Sequence, residues 1–404
     1  MTENRPGNIK CPVDFSDRKI GLALSGGGVR AAAFHLGMLR FLAEMNLLEK
    51  VTYISTVSGG TLLAGLVFSR NKYRWPSSEA FLQRVHPAIA DVMKRYDIQW
   101  RYVARLFLLP WNWLRFPFRA NVLADTIRST WNIRAPLSEL PAQPIWAING
   151  TTMETGRRWR FRAEAASTAA ETFAMGDGEL GETDASDFPI ADAMATSAAF
   201  PGGISPLRIR NCDRVWAIRR YVDGKAGPRE PVRPAYWSYH IADGGVYDNL
   251  GLEPLFDASS GAIRKGANTN FLLVSDAGAP LRKRPWGFIS QILGFSTRTL
   301  DIMSTQTRHL RVRVLARFFR GHPENGVFLN IVQPAKVAAD LARQYQSACA
   351  VYPDLSGFLD ADEVRRAAQF PTTLHALSTE DFDRIERHGY EVCRLQFALY
   401  CGIA

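Results

Sequence analysis

A serine at position 58 has the sequence context of an activated nucleophile. It follows the β-rich run Val51–Thr56 and precedes two glycines and an apolar helical stretch. This order is typical of a nucleophile elbow, in which small neighbours permit a sharp strand-to-helix turn that exposes the hydroxyl at the helix N-terminus. Thr56 stands where the Gly-x-Ser-x-Gly pattern has its first glycine. A purely structural turn is the alternative, because Ser and Gly both mark loops and helix caps.

A second small-residue motif, Ser25 to Arg30, follows the first β-rich run and opens the first predicted helix. Its glycines Gly26, Gly27 and Gly28 let the backbone approach a ligand closely, and N–H groups at a helix start stabilise a negatively charged oxygen. The motif also fits a permissive dinucleotide fingerprint, which requires an acidic residue about 20 residues later. The second strand ends in Ser-Thr-Val-Ser instead, and no Walker-type Gly-Lys-Ser/Thr follows. The pattern therefore favours an oxyanion hole that faces a serine.

A serine nucleophile needs a general base, and the acids of this sequence are better placed than its histidines. None of the seven histidines lies in a run typical of a catalytic triad, and His35 is expected to be a packed residue of the first helix. Asp243 follows a β-rich segment and precedes two glycines, where a tight turn would aim it into the same pocket. Asp276 at another strand end is a rival, and Asp248 is a weaker one. Any such carboxylate must be desolvated or held close to the hydroxyl to act as a useful base.

Four motifs in one order resemble the patatin-like phospholipases, which are related to the catalytic domains of cytosolic phospholipases A2. The motifs are Ser25-Gly-Gly-Gly-Val-Arg30, Thr56-Val-Ser-Gly-Gly60, Ala195-Thr-Ser-Ala-Ala-Phe-Pro201 and Asp243-Gly-Gly245. The resemblance runs from about Lys19 to Gly251. Thr56 and Ala31 depart from the plant patatins, whereas the cytosolic phospholipase branch tolerates both.

The resemblance implies a fold and a set of residue roles. The expected fold is α/β, with three α/β/α layers, a mainly parallel central sheet and helical insertions. The implied roles are the nucleophile Ser58, its base Asp243 in a dyad without histidine, the oxyanion-hole donors Gly26, Gly27 and Gly28, and the substrate-phosphate contact Arg30. Neither a metal nor another cofactor is implied. The Ala195–Pro201 motif would be a small-residue helix end that lines the site, or simply a place of close helix packing.

The activity implied by the resemblance is that of a serine acyl hydrolase, which cleaves fatty-acyl ester bonds of glycerophospholipids at a membrane surface rich in anionic lipid. One alternative is a membrane-degrading effector of the same fold, activated by a small anionic molecule or a protein regulator. Another is a non-catalytic lipid- or anion-binding protein. Nucleic acid is not an expected partner, since the sequence has no groove-reading motif and no aromatic RNA platform.

The elements that must position these residues follow an alternating pattern. Short β-rich runs separated by helical patterns predict a buried, largely parallel sheet. The runs are 21–24, 51–56, 145–149, 271–275 and 327–331. Apolar residues on all faces of Val29 to Leu48 predict a buried helix, and the capping pattern Ser378-Thr-Glu-Asp381 begins a closing amphipathic helix.

The domain organisation expected from these patterns is a single catalytic unit with insertions. Residues 1–18 would form an N-terminal extension and residues 19–335 the catalytic domain, with insertions at about 71–140 and 155–240. Residues 336–404 would form a C-terminal helical region packed on the same domain.

Composition excludes several classes of protein. The 404 residues include 49 Lys and Arg against 39 Asp and Glu, for a net charge of +10, and 47% are hydrophobic. This apolar content excludes a disordered chain, and no run of about 18 apolar residues could span a membrane. The charged, proline-containing N-terminus lacks the apolar core of a secretory signal, so we expect a cytoplasmic protein with peripheral membrane association. Five scattered cysteines predict reduced packing residues, without disulfides or zinc ligation.

Three segments have an unusual composition. Residues 281–320 contain nine Lys or Arg and one acid, Asp301, which suits an anionic surface or a solvated helix face. Residues 163–188 contain seven acids, no base and many small residues, and predict a mobile loop. Residues 100–119 interleave Trp and Phe with four arginines, as expected of a segment at a lipid headgroup boundary or of a lid packed on the core.

Overall fold

A computed structural model of the chain describes residues 11–164, 172–201, 203–222, 225–281, 295–345, 347 and 349–403. Its strands are β1 (Ile20–Leu24), β2 (Val51–Thr56), β3 (Ile145–Thr152), β4 (Arg158–Glu164), β5 (Thr172–Asp177), β6 (Gly181–Asp184), β7 (Leu207–Arg210), β8 (Trp216–Val222), β9 (Lys225–Val232), β10 (Ser238–Asp243), β11 (Phe256–Asp257), β12 (Ala262–Ile263), β13 (Phe271–Asp276) and β14 (Gly326–Asn330). Within the described residues, twelve of these strands form one large sheet, and β11 and β12 form a separate two-stranded sheet.

The centre of the sheet is parallel, in the order β14-β13-β1-β2-β3. Strands β1 and β13 are buried along their whole length, as is typical of parallel strands covered on both faces. All five β-rich runs predicted from the sequence lie in these strands or end one residue beyond them. The α/β class with a central parallel sheet is therefore confirmed.

An antiparallel wing continues the sheet from β3 through β4, β5, β6, β8 and β9, while β10 lies antiparallel to both β3 and β7. The sequence predicts a mobile loop at 163–188. Residues 165–171 lie outside the described residues, and for the rest of the segment the prediction is wrong, because it contains β5 and β6. Acids of this segment are partnered within the sheet: Asp177 accepts the N–H of Leu180 at 2.6 Å, and Glu182 pairs with Arg160.

Helices cover both faces of the sheet. They are α1 (Gly28–Glu44), α2 (Gly59–Arg70), α3 (His86–Arg95), α4 (Ile98–Leu108), α5 (Arg119–Thr130), α6 (Ile190–Ser197), α7 (Gly245–Asp248), α8 (Phe295–Gly321), α9 (Ala335–Gln344), α10 (Ala361–Gln369) and α11 (Thr379–Cys401). A short helical turn lies at Ser78–Ala80 and a π turn at Phe81–Val85. Turns of 3-10 helix lie at Leu48–Lys50, Pro110–Phe118, Leu137–Glu139, Lys265–Ala267 and Pro323–Asn325.

Alternate side chains of each strand enter different cores, as the pleat requires. Leu22 of β1 packs in the large core formed with α1, α2 and α11, whereas Ala23 faces the smaller core that contains Leu315 and Phe318 of α8. These two cores on opposite faces of the sheet give the three layers that the family resemblance implies.

The buried helix α1 crosses the C-terminal helix α11 at very short range. Both helices carry a glycine at the crossing, because a Cβ at Gly37 would collide with the Glu386 carbonyl and one at Gly389 with the Phe34 carbonyl. The predicted start of α11 is confirmed, since the Ser378 hydroxyl accepts the N–H of Asp381 at 3.1 Å.

Cysteine pairing differs from the sequence-based expectation. Cys11 and Cys349 form a disulfide with a Cα–Cα distance of 5.3 Å, so the prediction that all five cysteines are reduced is wrong. The two cysteines are 338 residues apart in the sequence, and nothing in their spacing predicts that they pair. Val13 and Cys401 lie beside each other there, joined by a main-chain hydrogen bond of 2.8 Å.

Among the described residues, no helix combines the length and the apolarity needed to cross a membrane.

Candidate active site

Ser58 lies on the sharp turn between β2 and α2. Its backbone angles, φ 48° and ψ −116°, are a strained conformation that a non-glycine residue adopts rarely. The two following glycines make the turn possible, because a Cβ at Gly59 would collide with the Gly28 carbonyl and one at Gly60 with the Leu24 carbonyl. Ser58 is only 8% exposed. The turn therefore has the geometry of a nucleophile elbow whose serine is almost fully buried.

The C-terminal end of α6 holds both halves of the site in place. The hydroxyl of Ser197 accepts the main-chain N–H of Ser58 at 3.0 Å and donates to the Asn149 carbonyl at 2.7 Å. Two residues later, the Ala199 carbonyl accepts the N–H of Asp243 at 3.2 Å. The Ala195–Pro201 motif thus does more than pack closely, since it ties the serine turn to the strand that carries the aspartate.

Thr56, the residue that replaces the usual elbow glycine, has a defined role below the turn. It is fully buried, and its hydroxyl accepts hydrogen bonds from the Trp146 indole and the Thr61 hydroxyl, both at 2.9 Å. Thr61 also lies 2.9 Å from the Ser197 hydroxyl. A chain of hydroxyl groups therefore joins the base of the elbow to α6, which explains how threonine substitutes for glycine at this position.

Asp243 ends β10, opposite Gly150 of β3, and its carboxylate faces the Ser58 hydroxyl, which acts to lower the pKa of the acid. The carboxylate also accepts the N–H of Gly245 at 2.6 Å. Because Asp243 is buried, its pKa is raised from the ordinary 3.8 to about 7, although the Gly245 N–H and the Ser58 hydroxyl act in the opposite direction. A carboxylate with a pKa near neutrality is well matched to accept the proton of a serine hydroxyl.

The rival acids are engaged elsewhere. Asp276 is buried, lies 3.5 Å from Arg308 and accepts the N–H of Gly278 at 3.0 Å. Burial raises the pKa of Asp276 while Arg308 lowers it. Asp248 lies 3.5 Å from Arg311 and accepts main-chain N–H groups of the turn that follows α7. Both carboxylates therefore fasten α8 and neighbouring turns to the sheet.

His35 is a packed histidine, as the sequence predicts. Its Nδ1 lies 2.9 Å from the Ser275 hydroxyl and its Nε2 lies 3.1 Å from the Ser25 carbonyl. Complete burial lowers the pKa of His35 to about 4, so the ring is neutral at pH 7. Within the described part of the chain, no histidine is hydrogen-bonded to Ser58.

The glycine motif forms a loop directly against the serine turn. A Cβ placed on Gly26 would lie 3.1 Å from the Cβ of Ser58. Gly27 and Gly28 have φ values of 146° and 62°, which favour glycine. The position of Gly28 is closed from outside by Thr373, whose carbonyl accepts the N–H of Val29 at 3.0 Å.

One of the three expected oxyanion donors is already in use. The N–H of Gly26 donates to the Asn249 carbonyl at 3.0 Å, so this group fixes the loop. The expectation that the Gly26 N–H is an oxyanion-hole donor is therefore corrected. Among the described residues, the N–H groups of Gly27 and Gly28 have no acceptor. The N–H of Gly59 is in the same situation at the start of α2, where helix N–H groups lack intrahelical partners. Gly59 is thus a candidate that the sequence analysis missed.

Arg30 does not face a substrate. Its side chain is 1% exposed, and its guanidinium donates to the carbonyls of Ala277 and Phe370. The expectation that Arg30 contacts a substrate phosphate is therefore corrected, because the side chain instead joins the end of β13 to the segment after α10.

The sequence carried partial signals for the residues that were missed. Ser197 lies inside the recognised small-residue motif, and Gly59 directly follows the nucleophile, the position that commonly supplies an oxyanion donor. Thr373 had no signal, since it approaches the glycine loop from a segment more than 340 residues away in the chain.

Comparison with known proteins identifies a family and several solved structures of limited similarity. The family model described as "Patatin-like phospholipase" matches residues 22–256, more than half of the chain. No curated protein matches the sequence. Human GIVD cytosolic phospholipase A2 is similar at a TM-score of 0.47 with 14% identity, over 92% of this chain and 60% of that one. VipD from Legionella pneumophila is similar at a TM-score of 0.34 with 13% identity, over 95% of this chain and 67% of that one. The chain thus spans less than two thirds of the length of the human enzyme.

Proposed function

This chain belongs to the patatin-like phospholipase family, and we propose that it is a serine acyl hydrolase that cleaves the fatty-acyl ester bonds of glycerophospholipids. The observation that carries the proposal is that the hydroxyl of Ser58, on its strained turn, faces the buried carboxylate of Asp243 closely enough to influence the pKa of that carboxylate. Family membership supports a lipid hydrolase in general, and this contact supports the dyad and its chemistry.

In the proposed acylation, the Ser58 Oγ attacks the ester carbonyl carbon while its proton moves to Asp243. The carbonyl π electrons move to oxygen, and the N–H groups of Gly27, Gly28 and Gly59 stabilise the resulting oxyanion. Each such donor typically contributes about 2.7–4 kcal/mol to the transition state. Collapse of the tetrahedral intermediate breaks the bond to the alcohol oxygen, which takes the proton from Asp243 and leaves as the lysolipid.

In the proposed deacylation, water attacks the acyl-serine carbonyl and gives its proton to Asp243. The second tetrahedral intermediate breaks the bond to Ser58 Oγ, which recovers the proton from Asp243 as the fatty acid leaves. The dyad therefore begins and ends each turnover in the same protonation state, and two moderate barriers replace one high barrier.

The basic segment gives little support to an activated effector or an anion-binding protein. Of its members, Arg282, Lys283 and Arg284 lie outside the described residues. Arg308 and Arg311 face inward and pair with buried carboxylates at 3.5 Å. These two arginines fasten α8, so the simple hydrolase is the function that the described residues favour.

The proposed partner is the surface of a phospholipid membrane, with peripheral association. The cytoplasmic location expected from the sequence stays a prediction. The Cys11–Cys349 disulfide stands against it, because reducing compartments keep most protein thiols reduced.

The test of the dyad is hydrolysis of a soluble short-chain ester and of phospholipid vesicles by matched variants. Ser58→Ala and Asp243→Asn should each abolish both activities. Ser69→Ala, in the same helix as the nucleophile turn, and Asp276→Asn, the rival acid, serve as controls that should keep them. Circular dichroism spectra check that each variant is folded. Activity close to wild type in Ser58→Ala, or inactivation by Asp276→Asn in place of Asp243→Asn, would contradict the proposal.

A further inference from the structure

Helix α4 and the 3-10 turn Pro110–Phe118 expose an unusual concentration of large apolar side chains. We call this the aromatic–basic surface. Its apolar members are between 47% and 85% exposed: Trp100, Phe107, Leu108, Trp111, Trp113, Leu114 and Phe116. The alternative drawn from the sequence, a lid packed on the core, does not describe these side chains. A contiguous segment of this kind is typical of a surface that binds another apolar phase.

The exposed side chains are held by a defined framework. Tyr102 and Leu106 on the other side of α4 are buried in the main core. The Asn112 amide donates to the Arg105 carbonyl at 2.9 Å, and the Trp113 indole donates to the Phe107 carbonyl at 3.2 Å. The segment is therefore anchored from behind and presents its apolar side chains outward.

The charge of the aromatic–basic surface has one sign. Arg101, Arg105, Arg115 and Arg119 are interleaved with the aromatic residues, and no acid occurs from residue 98 to residue 124. The flanking acids are already engaged, since Asp125 pairs with Arg115 at 2.7 Å and Asp97 caps α4 and lies 3.0 Å from His375. Arg101 is exposed, and its guanidinium lies 5.7 Å from the ring centre of Tyr96. Tryptophan with arginine is the combination that suits the boundary between acyl chains and anionic headgroups. An anionic bilayer offers an apolar interior and negative headgroup charge together, and this complementarity favours it as the occupant of the surface.

The N-terminal end of the aromatic–basic surface adjoins the glycine loop. The N–H of Gln99 donates to the Leu374 carbonyl at 3.1 Å, and the N–H of Leu374 donates to the Gln99 side chain at 2.9 Å. The preceding residue, Thr373, accepts the N–H of Val29 at 3.0 Å. Two consecutive residues therefore separate α4 from the loop that carries the proposed oxyanion donors.

The C-terminal end of the surface adjoins the aspartate side of the site. The ring of Phe118 stacks on His240 with centroids 6.1 Å apart, and His240 lies three residues before Asp243 on β10. The N–H of Ala120 donates to the Ser205 carbonyl at 3.3 Å, just beyond the Ala195–Pro201 motif. Both ends of the surface thus border the elements that build the dyad.

We propose that the aromatic–basic surface docks on bilayers that contain anionic phospholipid and so brings the site to the membrane. Docking is independent of catalysis, whereas delivery of lipid to Ser58 rests on the proposed function. Trp111 and Leu114 would enter the headgroup boundary while Arg101 meets lipid phosphates. The site would then receive substrate from the bilayer on which the protein is seated.

Docking is tested without hydrolysis, on full-length protein carrying Ser58→Ala. Sedimentation with vesicles of phosphatidylglycerol and phosphatidylcholine, and with vesicles of phosphatidylcholine alone, should show tighter binding to the anionic vesicles. Adding Trp111→Ser and Leu114→Ser should weaken binding by about tenfold or more, because apolar area is removed from the contact. Arg101→Gln should weaken it by about fivefold at low salt. The control is Val215→Ser, which removes an aliphatic side chain 84% exposed, against 85% for Leu114, and should leave binding unchanged.

Activity separates docking from catalysis. In the Ser58 background, Trp111→Ser with Leu114→Ser should hydrolyse a soluble short-chain ester at the wild-type rate and lose most activity on anionic vesicles. Vesicle binding and vesicle hydrolysis equal to wild type would overturn the docking proposal. So would a change of oligomeric state in analytical ultracentrifugation without a change in vesicle binding, which would make the surface an interface between copies of this chain. If neither substrate is cleaved by the wild type while vesicles still bind, the hydrolase proposal fails and docking stands.

Discussion

The raised pKa of the buried Asp243 carboxylate predicts that the stability of the protein falls over the same pH range in which its activity rises. Asp243→Asn keeps the size of the side chain and an oxygen that can accept the Gly245 N–H, but it removes the titrating group. In the wild type, the pKa of Asp243 lies at about 7 in the folded protein, against an ordinary 3.8, because burial disfavours the charged form. Between these two pH values the folded protein binds the proton that the unfolded chain has released.

The sign of the effect follows from proton linkage. A raised folded-state pKa makes the wild type lose stability as the pH rises from about 4 to about 7. One pKa unit corresponds to about 1.4 kcal/mol, so ionising the buried group costs the folded state about 4 kcal/mol at pH 8. Asp243→Asn escapes this cost. The free energy of unfolding of the variant relative to wild type should therefore increase by about 4 kcal/mol between pH 4 and pH 8.

The assay is urea unfolding of both proteins across this pH range, followed by tryptophan fluorescence. Comparing the difference at pH 8 with the difference at pH 4 removes any constant effect of the substitution. A difference that does not change with pH would refute the raised pKa and the argument built on burial. The same pKa predicts that kcat/KM of the wild type rises with pH to a plateau above about pH 7, because only the carboxylate form can accept the serine proton.

Three further predictions concern the framework of the site. Ser197→Ala leaves the buried N–H of Ser58 without its acceptor, so it should lower stability by about 1–3 kcal/mol and reduce kcat while leaving the pH profile unchanged. Gly28→Ala places a side chain at φ 62° against a neighbouring carbonyl, and it should cost at least about 1 kcal/mol in urea unfolding and reduce kcat. Reduction of the Cys11–Cys349 disulfide should lower the free energy of unfolding by about 2–4 kcal/mol, and mass spectrometry of unreduced peptides should find the pair; free thiols at both positions in protein purified without reductant would contradict it.

The sequence predicted the parallel core because its signals are local. Each strand from β1 to β3, together with β13 and β14, is a short apolar run that is covered on both faces. Since parallel strands end at one edge of a sheet, the turn at Ser58 could be expected to meet a glycine loop from the neighbouring strand. The Asp-Gly-Gly turn and the family resemblance together point to Asp243, and the structure places its carboxylate facing Ser58.

The errors arose where tertiary partners decide the role of a residue. The Gly26 N–H is taken by a carbonyl of a later segment, and the Arg30 guanidinium by two carbonyls of later segments. No spacing within the motif could show this. The charge of the acidic stretch at 163–188 predicts a mobile loop, but Glu182 pairs with Arg160 across the sheet. Composition cannot reveal a partner that lies on another strand.

The most direct test of the central claim is to treat the purified protein with a fluorophosphonate probe and to locate the adduct by peptide mass spectrometry. We predict a single adduct on Ser58 that is absent from Ser58→Ala and strongly reduced in Asp243→Asn, with loss of ester hydrolysis in proportion to labelling. An adduct on another serine, or full hydrolytic activity after complete labelling of Ser58, would contradict the assignment of Ser58 as the nucleophile.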